Sequence, residues 1–298
     1  MENELIRLNK TNLAKHYIKY RYRQALARDQ YKELMQAVAD KLGAKNVENQ
    51  NANVDEHSFG GRIGEASNLV NKHYALEFLL DKKSKENHIN NRVYIHDLDH
   101  YAVGDHNCLS IPFDKLLSEG FNTRQTDVRP ANSINTACQL VAVIFQLQSL
   151  NQFGGCSATH IDWTLAPYVR KSFAKHFKRG MDIAVFKWWK LFKSTRNYKP
   201  EGELSFDDKT ISKLRFKFVK NYAIKRTIEE THQAIEALYH NLNTLQSRSG
   251  CQLPFTSINY GTCTSPEGRL VTKEILKVSI EGLGKLHKTS IFPCGIFQ

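Results

Sequence analysis

Residues 94–110, "YIHDLDHYAVGDHNCLS", place three histidines, three aspartates and one cysteine within seventeen positions. Three chemistries suit that set. His96, Asp97, Asp99, His100, Asp105 and His106 are all of metal-ligand type, and on a strand Asp97 and Asp99 would share a face while His96 points away. The spacing matches no HxH or HExxH pattern. A Cys108–histidine pair would make a nucleophile, but that also needs a partner base and an oxyanion site. In the third reading Cys108 stays a bare thiol, and His96 and Asp97 anchor the strand end through hydrogen bonds.

The elements that must hold this stretch follow from patterning. Residues 11–43 read as a helix with Thr11 or Asn12 as cap and Gly43 as stop. Residues 44–68 are polar and carry Gly60, Gly61 and Gly64, which suggests a loop; the glycines are either a phosphate cradle or ordinary turn residues. A helix over 66–82 precedes strands over 92–98 and 107–113. Ser133 caps a long helix running to Gly154, apolar on most sides, which marks it as a core or subunit-contact element. Another helix covers 162–180, and 181–226 is basic and aromatic, with Trp188 and Trp189. A helix over 227–247, a strand over 254–262, a helix opened by Ser265-Pro266-Glu267 and a strand over 289–297 complete the pattern. Strands alternating with helices predict an α/β fold with a mostly parallel sheet or barrel. Such a sheet rarely stops on an apolar edge, so the final strand is expected to pair with something further, and the chain is read as incomplete.

Bulk properties set looser bounds. The 298-residue chain has 41% hydrophobic and 24% charged residues, a globular balance, and a net charge of +12. The charge favours polyanionic partners such as nucleotides, or equally a solvated basic surface. No apolar run reaches the roughly 18–20 residues of a membrane span, and the start "MENELIRLNK" has no signal-peptide core, so a cytoplasmic location is expected. Six cysteines lie far apart without a CxxC, which predicts reduced, mostly buried thiols and no metal site.

Several segments resemble the anaerobic (class III) ribonucleoside-triphosphate reductases. They are "NANVDEHSFGGRIGEA", "HDLD" with "HNCLSIPFD", "GFNTRQTDVRPANSINTA", "QFGGCSATHIDWTLAPYVRKSF", "QLPFTSINYGT" and "GKLHKTSIFPCGIFQ", all in order. The resemblance implies the first part of a ten-stranded α/β barrel of the glycyl-radical enzyme type, with N-terminal helices and long dimer-interface helices. Residues 1–43 would resemble the end of an ATP-cone, and 44–298 the N-terminal half of the reductase barrel.

By that resemblance Cys108 is the early-strand cysteine that faces the ribose and takes part in reduction, with His96 and Asn107 as substrate contacts. Lys175, in "SFAKHF", matches a lysine used toward the effector triphosphate, on the helices that cover 133–153 and 163–179. An apolar patch is expected along both. The implied helpers are a glycyl radical installed by a radical-SAM activase, formate as reductant, ATP and deoxynucleotide effectors, and zinc in a C-terminal region. The "MGCR"-type radical-cysteine segment, the zinc-binding CxxC pairs and the glycyl-radical loop do not occur here. Cys294 is therefore read as structural, and the chain as inactive alone, with a complementing C-terminal chain and a homodimer as expected partners. Direct nucleic-acid and membrane partners are not expected. The alternatives are another glycyl-radical enzyme fragment and a basic nucleotide- or RNA-binding module.

Overall fold

A computed structural model describes residues 2–43, 57–104, 108–152, 154–187, 204–209, 211, 217–247 and 252–298. The chain divides into two compact units, Met1–Asp105 with Ser249–Gln252, and His106–Arg248 with Leu253–Gln298.

In the first unit a short helix α1 (Glu2–Arg7) leads into α2 (Thr11–Leu42) and α3 (Phe59–Tyr74). The polar 44–68 loop expected from its glycines is thus helical from Phe59 onward. Ser58 explains the difference: its hydroxyl accepts the Gly61 amide at 2.9 Å and caps the helix. That bond engages one of the amides that a phosphate cradle would use. The last turn of α3 widens into a π-helical turn, Ala75–Leu79. Helix α4 (Lys82–Ile89) starts at Asp81, whose carboxylate accepts from the amides of Lys83 and Ser84. The strand expected over 92–98 is absent. Residues 92–95 are bend and irregular and 96–98 are turn, with Asp97 at a φ of 54° that no ladder accommodates.

The second unit is a helix layer against a small sheet. Strands β1 (Leu109–Ser110), β4 (Cys156–Ala158), β5 (Thr256–Tyr260) and β6 (Cys294–Phe297) form one parallel sheet in that order. A separate antiparallel pair joins β2 (Phe121–Asn122) to β3 (Asp127–Val128). The helices are α5 (Phe113–Glu119), α6 (Ile134–Ser149), α7 (Ile161–Lys187), α8 (Lys217–Thr244) and α9 (Pro266–Glu281). The expected caps are in place: Ser133 accepts from Thr136, and Ser265 from Gly268 at 3.1 Å with Pro266 in the first turn.

The core lies where α6, α7, α8 and α9 meet one face of the sheet, around Phe145, Ile161, Leu165, Ile235, Leu242 and Ile258. Phe113 stands edge-on to Phe145, centroids 4.8 Å apart. Helix α6 is the core element its composition predicts, but the apolar patch expected along it and α7 is not there. Helix α8 packs on both. Of the large apolar side chains in 133–153 and 163–179, only Leu150 and Trp163 are exposed among the described residues. The architecture is α/β with a parallel sheet of four strands; the described residues form no closed barrel.

Candidate active site

Alternation along the strands gives the sheet two unlike faces. Cys156, Ala158, Thr256, Ile258 and Tyr260 are buried, while Ser157, Ser257 and Asn259 between them are half-buried. The buried set packs against the helices, so the other set lines the open face. Ser110, Ser157, Ser257 and Cys294 stand in one cross-strand row of the parallel register. Ser110 and Ser157 join hydroxyl to hydroxyl at 3.0 Å.

Cys108 directly precedes β1, and alternation places it on the side of Ser110. It is exposed and in no disulfide. Its strand is held by the amides of Leu109 and Ile111, which donate to the carbonyls of Gly155 (3.0 Å) and Ser157 (2.9 Å). Beyond the strand, Ile111 and Phe113 are buried in the core. Cys108 is thus a solvent-reachable thiol on a short strand anchored at its far end.

The other thiols differ. Cys138 is wholly buried, and burial pushes its pKa up to about 12, which leaves it protonated and inert. Cys156 and Cys263 are buried as well, and Cys251 lies outside the described residues. Cys294, read as structural, is exposed at the start of β6 on the open face. It stands three strands and two residues away from Cys108, about 16 Å along a flat sheet. A disulfide cannot span that distance.

The remaining sequence-derived residues are spread out. His96 belongs to the first unit, is exposed, and has Nδ1 2.6 Å from the carboxylate of its neighbour Asp97. Asn107, Asp105 and His106 lie outside the described residues, as do Trp188 and Trp189. Lys175 is exposed on α7. Beside it, His176 and Glu230 form an ion pair at 2.6 Å between α7 and α8. Burial would raise the Glu230 carboxyl, but the hydrogen bond and charge of His176 hold it below its ordinary value. A cavity of about 260 Å³ opens there, lined by His176, Arg179, Tyr222, Arg226, Glu229, Glu230 and Gln233. Among the described residues no group of three His, Cys, Asp or Glu side chains could hold a metal ion, so zinc finds no fitting site in them. No described helix is long and apolar enough to cross a membrane.

Two features escaped the sequence reading. One is the open polar face, whose signal is the small-polar alternation in "TSIN". The other is a cluster beyond β4: Asp114 takes Nε2 of His160 at 2.8 Å and the Thr164 hydroxyl, and His160 Nδ1 meets Thr159 at 2.9 Å. Those pairings join α5 to the start of α7 and depend on tertiary contact alone.

Known proteins are similar in sequence to this chain. The family model described as anaerobic ribonucleoside-triphosphate reductase matches residues 50–298. The anaerobic ribonucleoside-triphosphate reductase of Haemophilus influenzae is 30% identical over 300 positions, covering 100% of this chain and 38% of that protein. The enzyme of Escherichia coli K12 gives the same 30%, 100% and 38%. That of enterobacteria phage T4 is 28% identical over 250 positions, covering 84% of this chain and 36% of the phage protein. Among solved structures, the anaerobic ribonucleotide reductase from Thermotoga maritima in complex with dATP and CTP is 14% identical, covers 83% of this chain and 40% of that one, and has a TM-score of 0.46. The chain spans well under half the length of the curated relatives it matches. With the family match running over most of its residues, this chain belongs to the anaerobic ribonucleoside-triphosphate reductase family.

Proposed function

We propose that this chain supplies the Cys108 side of an active site that reduces ribonucleoside triphosphates to deoxyribonucleoside triphosphates. The observation that carries the reading is the thiol itself: Cys108 is exposed, unbridged and set beside a row of small polar side chains on the open sheet face. The serines of that face offer hydrogen bonds to a sugar.

The chemistry needs a hydrogen-abstracting radical on one side of the ribose and a hydrogen donor on the other. A glycyl radical, installed by a radical-SAM activase, would initiate the first function through a thiyl radical that Cys108 does not provide. The 3′ hydrogen would be abstracted by that thiyl radical, and the 2′ hydroxyl would take up a proton and leave as water. The weak S–H bond of Cys108 suits the donor role. Formate as final reductant, zinc in a C-terminal region, a complementing C-terminal chain and a homodimer complete the proposal. Of the predicted substrate contacts, His96 and Asn107 belong to the proposal by sequence alone. An effector triphosphate is assigned to Lys175, whose exposed charge stands beside the cavity that Arg179 and Arg226 line.

Nucleotide protection of Cys108 tests the site. Millimolar CTP should slow alkylation of Cys108 by iodoacetamide at least severalfold while leaving Cys294 less affected. An alkylation rate at Cys108 that CTP does not change would remove the thiol from the site.

A further inference from the structure

We propose that the groove between α9 and the edge strand β6 is the seat of an acidic amphipathic helix carried by another polypeptide chain. The inference rests on the complementing chain proposed above, and names where that chain docks and the chemistry it presents.

The first observation is a gap in the helix layer. Cys156 and Ala158 of β4, and Thr256, Ile258 and Tyr260 of β5, turn toward the helices and are buried. In the parallel register Phe297 stands beside Tyr260, so it lies on the same helix side of the sheet. Its ring meets that of Tyr260 edge-on, centroids 6.0 Å apart. Yet all four residues of β6 are exposed, and Phe297 keeps 65% of its surface open to solvent. The helices cover β4 and β5 and leave β6 bare.

The second observation is the shape and polarity of the gap. A cavity of about 460 Å³ lies between Phe297 and the outer flank of α9. Leu276 and Ile280, one turn apart on that flank, form its apolar wall with Phe297, and Ile280 is 84% exposed. Contiguous apolar surface rimmed by polar groups marks an interaction site.

The third is charge. Arg269, Lys273 and Lys277 follow at intervals of four along α9 and line the same cavity. That interval sets them in one row on the helix surface. Lys277 is tied to Glu274 at 2.9 Å, whereas Arg269 and Lys273 are exposed and have no ion pair among the described residues. From Arg269 to Ile280 the flank runs about 16 Å, roughly three turns of helix. A helix laid along it buries its apolar stripe on Leu276, Ile280 and Phe297, and carboxylates at the same four-residue interval answer the cations. Flanking charges choose the partner of an apolar helix seam in this way.

The test reads fluorescence anisotropy of a labelled peptide, Leu-Glu-Glu-Leu-Leu-Glu-Glu repeated twice, against the 298-residue chain. It should bind saturably and more weakly as salt is raised, and a twin peptide with lysine for every glutamate should not bind. Arg269→Glu with Lys273→Glu should weaken binding at least tenfold, and so should Ile280→Asp; all three positions are exposed, so the fold is not at stake. Lys115→Glu with Lys178→Glu, an equal change of charge at exposed positions elsewhere, should leave it within twofold. Absence of binding, equal binding of both peptides, or affinity unchanged by the groove variants would overturn the assignment. So would ATP displacing the peptide at micromolar concentration, which would give the cations to a nucleotide. A dimer in sedimentation that Ile280→Asp abolishes would give the groove to a second copy of this chain and overturn it as well. Protection of Cys108 by CTP is read separately: protection without peptide binding sinks the groove alone, and peptide binding without protection sinks the thiol reading alone.

Discussion

The carboxylate of Asp162, fully buried at the start of α7, accepts the backbone amide of Cys263 at 2.8 Å and that of Gly261 at 3.0 Å. One side chain thereby fixes the turn that leaves β5, and through it the strand that carries Asn259.

Removing that carboxylate takes the acceptor from these two amides and from that of Trp163, which donates to Oδ1 at 3.0 Å. Asp162→Ala should cost about 2–4 kcal/mol of unfolding free energy, because each unpaired buried amide costs about 1–3 kcal/mol. Asp162→Asn keeps one acceptor and should cost less. Urea unfolding of the two variants checks the order, and an alanine variant as stable as the parent would refute it.

The packing of α9 on the same turn is close. A methyl group on Gly268 would collide with the sulfur of Cys263. Gly268→Ala should therefore destabilise by about 1–3 kcal/mol despite its better helix propensity. Because the Cys263 Cβ would collide as well, the double variant Gly268→Ala with Cys263→Gly, and not with Cys263→Ala, should recover most of the loss in a thermal melt.

The thiols should separate by reactivity. Cys108 and Cys294, both exposed, should alkylate within minutes at pH 8 under native conditions. Cys138, wholly buried with its pKa near 12, should react only on unfolding. Peptide mapping of the labelled chain reads all three, and rapid native labelling of Cys138 would contradict the packing of α6.

The Glu230–His176 pair sets a pH dependence. A carboxyl held below its ordinary value of 4.5 adds stability that is fully present above that pH and is lost as pH falls through the lower, folded value. Stability measured from pH 6 to pH 3 should fall, and Glu230→Gln should flatten that limb. An unchanged acid limb in the variant would show that the pair contributes nothing there.

What the sequence disclosed was local. The Ser133 and Ser265 caps were legible because a hydroxyl and an amide three residues apart make the bond. The strand misread over 92–98 has apolar Val93 and Ile95 in alternation, but a strand also needs a neighbour, and pairing is not local. Helix α6 reads as buried from its composition, yet only the structure shows that α8 covers it within the chain. Cys108 was singled out by its motif. The face it shares with Ser157 and Asn259 was hidden, because which side of a strand stays open depends on where the helices pack.

The strand order of the parallel sheet is also the order of synthesis: β1, β4, β5, β6. Among the described residues, no later strand of this sheet has to insert between two earlier ones. As the polypeptide leaves the ribosome, each strand of this sheet finds its pairing edge already present, and the crossover helix just made lies on the face it will cover. Growth at one edge spares the nascent chain the reopening that an interleaved order would demand. It also leaves a single growing edge to guard at each stage, first β4, then β5, then β6.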